Sequence, residues 1–130
     1  MKINTEIKAS EATGAFCATL LNAATVAHIL HFQTRSFSHH EALGDLYEGL
    51  PDFIDSIVEA FQGKTQSLLQ FPAQSVTTPA NALDFVISLN SYLSSNRYVA
   101  FSDKDTEIQN IIDEIVVLLE KTIYKLTFLA

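Results

Sequence analysis

Apolar side chains recur every three or four positions along most of this chain, the spacing of one helical face. Helix A is expected from about Ser10 to Phe32, with Phe16, Leu20, Ala23, Ala27 and Leu30 in one row. Leu21, Ala24, His28 and His31 form a second, adjacent row. Gly14 should weaken the first turns of this helix by ~1 kcal/mol relative to Ala. After the short break QTRSFS, helix B is expected from about His39 to Gln62. Its inward row is Leu43, Leu46 or Tyr47, Leu50, Ile54, Ile57 and Phe61. Ser38 with Glu41 three residues on reads as a capping box at the start, and Gly63 as the C-terminal stop. Pro51 removes one hydrogen bond from the helix interior. The period stays in phase on both sides of it, so a single helix is read through the proline.

Residues 64–78 hold Phe71-Pro72 and a Ser/Thr run, with no sustained period. A link this long can carry the chain from one end of a bundle to the other. Thr78-Pro79 then offers a cap followed by proline at the first helical position. Helix C is expected from there to about Ser94, with Leu83, Val86, Leu89 and Leu93 inward. The segment SSNRYVAFSDKD reads as a loop, with Ser102 and Asp105 as a second capping box. Helix D should run from about Asp105 to Phe128, with Ile108, Ile112, Ile115, Leu119, Thr122 and Leu126 inward. Its acids come early and Lys121 and Lys125 late, as the helix dipole prefers. There is no internal repeat and no strand-like alternation. The expected fold is all-α: a ferritin-like four-helix bundle with one long B–C crossover, in a single domain spanning 1–130.

Composition narrows the partners. Eight Lys and Arg stand against 15 Asp and Glu, a net charge of −7. That balance argues against nucleic acid, whose phosphates are met by basic side chains, and suits attraction of cations. Cys17 is the single cysteine, which rules out an intrachain disulfide and reads as a small core residue. The N-terminal MKINTEIKASEATG lacks the apolar run of a signal peptide. No segment has the ~18 uninterrupted apolar residues of a membrane span. A soluble cytoplasmic protein with no membrane partner is expected.

The chemistry concentrates between His28 and Gly63. Because the A–B link is short, A and B must be antiparallel, and His28, His31, His39 and His40 gather at one end of the hairpin. Imidazole is a common ligand for iron, zinc and copper; the plainer reading is polar residues beside a loop. Glu41, Asp45, Glu48, Asp52, Asp55 and Glu59 fall within about 80° on a helical wheel. Such a row is often a solvated face, but this one contains no Lys or Arg, and like charges at this spacing repel. His40 and Asp55 are ~22 Å apart along the helix axis, so they cannot share an ion within one chain. If two B helices pair antiparallel about a two-fold axis near Tyr47 and Glu48, His40 faces Asp55 of the second copy. A site would then take His31 or His28 with His40 from one subunit, and Asp55 and Glu59 from the other. Ser36 and Ser38 lie near His39 and His40, but no oxyanion-binding glycine turn accompanies them, so nucleophilic catalysis is not expected.

The order His31-Phe32, Phe37, His40-Glu41, then Asp55 to Glu59 resembles the Dps-type mini-ferritins. The resemblance implies a four-helix bundle whose ferroxidase site lies between two subunits, in a homo-oligomer that can close into a cage. It implies oxidation and storage of ferrous iron, with His31, His40, Asp55 and Glu59 as ligands; zinc and copper suit the same donors. Both His28 and His31 answer to the family's first histidine: His28 keeps the usual distance to His40, and His31 keeps the aromatic neighbour. The loop between the histidine motifs is shorter than in the family. Gly44 stands where the family carries an acid one turn after the second histidine, with Asp45 beside it. Separately, QTRSFSHHEALGDLYEGL and QNIIDEIVVLLEKTIYKLTFLA resemble small bacteriophage-encoded proteins of unassigned function, which implies a place in the host cytoplasm or the virion. The alternative function is a non-catalytic structural or interaction bundle without metal chemistry.

Overall fold

Every residue of the four inward rows is buried or half-buried in the computed structural model, which describes the backbone of residues 2–130 and the side chains of residues 11–130. The N-terminal stretch read for a signal peptide lies largely outside those described side chains. Four helices form: α1 (Lys2–Gln33), α2 (Phe37–Thr65), α3 (Ala82–Ala100) and α4 (Thr106–Phe128). No strand occurs among the described residues. The fold is all-α, and α2 continues unbroken through the exposed Pro51.

The helix ends differ from expectation, each for a local reason. Ser36, not Ser38, caps α2, its Oγ accepting from the His39 N–H at 3.3 Å. The Ser38 hydroxyl is drawn away to donate to the Leu129 carbonyl at 3.2 Å, and Glu41 lies exposed outside the cap. Gly63 does not stop α2. The helix runs on to Thr65, and Gln66 takes the left-handed C-cap conformation at φ 55°. Thr78-Pro79 belongs to the crossover, and Asn81 caps α3 by accepting from the Asp84 N–H at 3.0 Å. The stretch SSNRYVA is helical, extending α3 to Ala100, because Arg97 is held by Gln109 and Asp113 of α4, Thr13 donates to the Ala100 carbonyl, and the buried Phe101 packs on Phe16 and Phe61. Asp105 precedes α4 without capping it; its carboxylate meets Lys64 Nζ at 2.7 Å instead.

Three residues join α1 to α2 and five join α3 to α4, so each pair is antiparallel. The crossover 66–81 brings α3 back to the α1–α2 turn, where Thr78 to Leu83 share a cleft with Leu30, Thr34, His39 and Leu126. Helix α3 therefore runs parallel to α2. Packing joins α1 to α2 and α3, and α4 to α2 and α3, while the two diagonal pairs stay apart. Every touching pair is antiparallel. Contacts at both ends fit this: Ser38 meets Leu129, Lys64 meets Asp105, and the Thr13 hydroxyl donates to the Ala100 carbonyl.

The crossover runs along α1. Asn22 Nδ2 donates to the Ser75 carbonyl at 3.2 Å, and a Cβ at Gly14 would sit 1.9 Å from the Gln70 carbonyl oxygen. Gly14 lies well inside α1, not in its first turns, and leaves the space that the crossover backbone fills. By length and composition Glu11–Gln33 would also span a membrane. In this bundle its apolar row faces the other helices.

Candidate functional site

Because α1 ends only three residues before α2 begins, the last turn of one helix meets the first turns of the other. His31 and His40 come face to face there, with ring centroids 3.6 Å apart and planes 20° from parallel. Their hydrogen bonds are reciprocal. His31 Nδ1 lies 2.6 Å from the His40 carbonyl oxygen, and His40 Nδ1 lies 2.8 Å from the His31 carbonyl oxygen. A carbonyl oxygen only accepts, so both Nδ1 atoms carry the proton, and in the neutral rings both Nε2 atoms keep their lone pairs. The His31 carbonyl sits in the last turn of α1, where intrahelical donors have run out. His40 supplies the missing donor.

Around this pair lies an aromatic corner. His28 stacks on Tyr47, at 3.8 Å and 9°, and on Phe32, at 4.8 Å and 28°. Phe37 borders His40 at 6.5 Å. Phe32 and Phe37 are 71% and 77% exposed, a large apolar surface beside half-buried imidazoles. His39 does not join the cluster. It turns to the other side of α2 and lines the cleft of about 620 Å³ formed with Leu30, Leu43, Asn81 and Leu126.

Gly44 is buried directly behind His31. A Cβ there would lie 3.2 Å from His31 Cε1 and 3.3 Å from Nδ1. Asp45, its neighbour, faces α4 and pairs with Lys125 at 3.2 Å. The remaining acids of the row, Glu48, Asp52, Asp55 and Glu59, are exposed and form no ion pair among the described residues. Asp55 and Glu59 sit one turn apart on α2, away from the histidines.

The structure thus brings together His28, His31 and His40, and leaves Asp55 and Glu59 apart from them. Among the described residues no group of three or more His, Cys, Asp or Glu side chains surrounds a common point. The stacked pair cannot close on one ion by itself. An imidazole lone pair lies in its ring plane, and two planes 20° apart with centroids separated by 3.6 Å do not meet within bonding distance. Each neutral ring keeps one Nε2 lone pair, directed within its own plane. Sequence reasoning gathered the histidines correctly but missed the reciprocal Nδ1 bonds and the steric part of Gly44.

Burial pushes the Cys17 thiol up to about 12, so it stays protonated and unreactive. Arg97, Gln109 and Asp113 form a polar clamp between α3 and α4, with Arg97 Nε donating to Gln109 Oε1 at 2.8 Å and Nη2 reaching Asp113 at 2.7 Å. That clamp serves the turn and was not visible while SSNRYVA read as a loop. No curated protein and no solved structure matches the chain. A family profile matches residues 31–126, a span that takes in the stacked histidines, Gly44, Asp55 and Glu59, and by that match the chain belongs to the family of unknown function DUF5856.

Proposed function

We propose that this chain forms a homo-oligomer of Dps-like plan that binds ferrous iron between subunits and oxidises it. Peroxide or oxygen accepts the electrons, and the ferric product is stored as mineral. The observation that carries the reading is the reciprocal His31–His40 pair. Both Nδ1–H groups are committed to backbone carbonyls, the arrangement that orients metal-binding imidazoles and leaves Nε2 as the donor. The crossover topology, with every touching pair antiparallel, supports it too. So does the carboxylate pair at the far end of α2, where a two-fold antiparallel pairing of α2 would set Asp55 and Glu59 of one copy against the histidines of another. His31 and His40 would hold the ions, with His28 packed behind them on Tyr47. Asp55 and Glu59 of the second copy would supply negative charge.

The test is a ferrous titration of the apoprotein under peroxide, followed by ferric absorbance. Acceleration over buffer is expected, and its absence sinks the proposal. Asp55→Ala with Glu59→Ala should abolish it. A second reading is a non-catalytic interaction bundle. It is favoured by Gly44, which replaces an expected acid and whose space the His31 ring takes. Native mass spectrometry separates the two: a large closed assembly supports storage, and a dimer without metal supports the module.

A further inference from the structure

We infer that Gly44 is a positioning residue for the His31 imidazole, so that its missing side chain builds the candidate site instead of impoverishing it. The inference rests on the function proposed above for the ligand, but its geometry stands on the bundle alone. The His40 carbonyl accepts the helical bond expected from the Gly44 N–H, and it also accepts His31 Nδ1–H at 2.6 Å. The His31 ring lies across the surface of residue 44 as it reaches that carbonyl. With a Cβ there, the ring atoms Cε1 and Nδ1 would stand at 3.2 and 3.3 Å, tighter than ordinary contact. Alanine would push the ring by a few tenths of an ångström. A carboxylate would remove it from the stack, break the bond to the His40 carbonyl and free the tautomer. Asp45, the next residue in sequence, is turned to Lys125 at 3.2 Å.

This sets two expectations of opposite sign against each other. If Gly44 were merely a lost ligand, Gly44→Asp would restore an acid and strengthen metal binding. If Gly44 positions His31, the same change weakens binding, roughly tenfold or more, as losing an orienting contact does. The primary readout needs no metal. In ¹⁵N-labelled apoprotein, long-range ¹H–¹⁵N spectra should show both His31 and His40 with the proton on Nδ1. Gly44→Asp should lose that signature at His31, and Gly44→Ala, the milder change that keeps the fold by circular dichroism, should shift it. Spectra of Gly44→Asp that keep both Nδ1–H signals unshifted overturn the inference. Co²⁺ titration is the second arm, and tighter binding by Gly44→Asp also overturns it. If the unmutated protein takes up no Co²⁺, the proposed function fails, and the tautomer spectra still decide the part played by Gly44.

Discussion

Two glycine-to-alanine substitutions, Gly14→Ala and Gly63→Ala, should move stability in opposite directions although helix propensity treats them alike. Both glycines lie inside helices, and alanine is favoured there by ~1 kcal/mol. At Gly63 nothing lies within 4 Å of the added Cβ, so the full propensity gain should appear. At Gly14 the added Cβ would stand 1.9 Å from the Gln70 carbonyl oxygen and 3.1 Å from its carbon. Contacts below about 3.0 Å are not tolerated, so the crossover must retreat by more than ~1 Å. The atom in the way is backbone and cannot rotate aside. Retreat also strains the hydrogen bond from Asn22 to the Ser75 carbonyl and lifts Leu69, which is 7% exposed, from the core. Overpacking of this kind costs about 1–3 kcal/mol, which exceeds the propensity gain. Urea denaturation followed by circular dichroism should show a lower midpoint for Gly14→Ala and a higher one for Gly63→Ala. Stabilisation of both variants alike would mean that the crossover does not lie on α1 at this point.

Three other perturbations test separate parts of the bundle. Lys64 joins the end of α2 to the start of α4 through Asp105 and Glu107, at 2.7 and 3.0 Å. Those acids hold the Lys64 ammonium above its usual range, and Lys64 holds the Glu107 carboxyl below its own. The raised lysine contributes below its unfolded value of 10.5 and loses its effect as pH rises past it; the lowered glutamate contributes above 4.5 and loses its effect as pH falls. The melting difference between the unmutated protein and Lys64→Met should therefore be small, present near neutrality, and absent at both extremes of pH. Gln109→Ala should cost about 1–3 kcal/mol in urea titration. It strips Arg97 of a partner and leaves the Phe101 carbonyl, now 3.2 Å from Gln109 Nε2, without its donor. Cys17 should not react with a thiol reagent at pH 8 until the protein is unfolded, because the buried thiol is held at about 12.

The four core rows were legible in sequence because each helix buries one stripe at the helical period. Ile108, Ile112, Ile115 and Leu119 are completely inaccessible, as their spacing demands. Helix ends were less legible because capping is a competition among neighbours. Ser36 and Ser38 can each cap α2, and the tie is broken by Leu129, which is remote in sequence and captures Ser38. The same holds for SSNRYVA, whose helical state depends on Arg97 finding Gln109 and Asp113 across the turn. Within the candidate site, the gathering of the histidines followed from a short link. What could not be read was the side of α2 that each ring takes. His39 and His40 are adjacent, so they point about 100° apart around the helix, one into the cleft and one onto His31. Gly44 looked like a deletion of chemistry because its neighbour across the interface, His31, lies on another helix.

The strongest prediction concerns how the two halves of the candidate site are divided between subunits. His40 and Asp55 are ~22 Å apart along one helix, so under the proposed function a chain contributes histidines to one site and carboxylates to another. His31→Ala with His40→Ala should be inactive, and so should Asp55→Ala with Glu59→Ala, each assembled alone. Unfolded together and reassembled, they should regain activity. In a mixed dimer one site inherits the intact histidines of the carboxylate variant and the intact carboxylates of the histidine variant, while the other site inherits both defects. Random pairing makes half the dimers mixed, with one of two sites intact in each, so about a quarter of the full rate should return. A site contained in one chain gives no recovery at any mixing ratio. The same experiment separates assembly from chemistry: mixed dimers that form by native mass spectrometry but stay inactive reject the shared site while leaving the dimer intact. Recovery near a quarter would place one site on each side of the two-fold axis across α2, the stacked histidines and Gly44 of one chain meeting the carboxylates of the other.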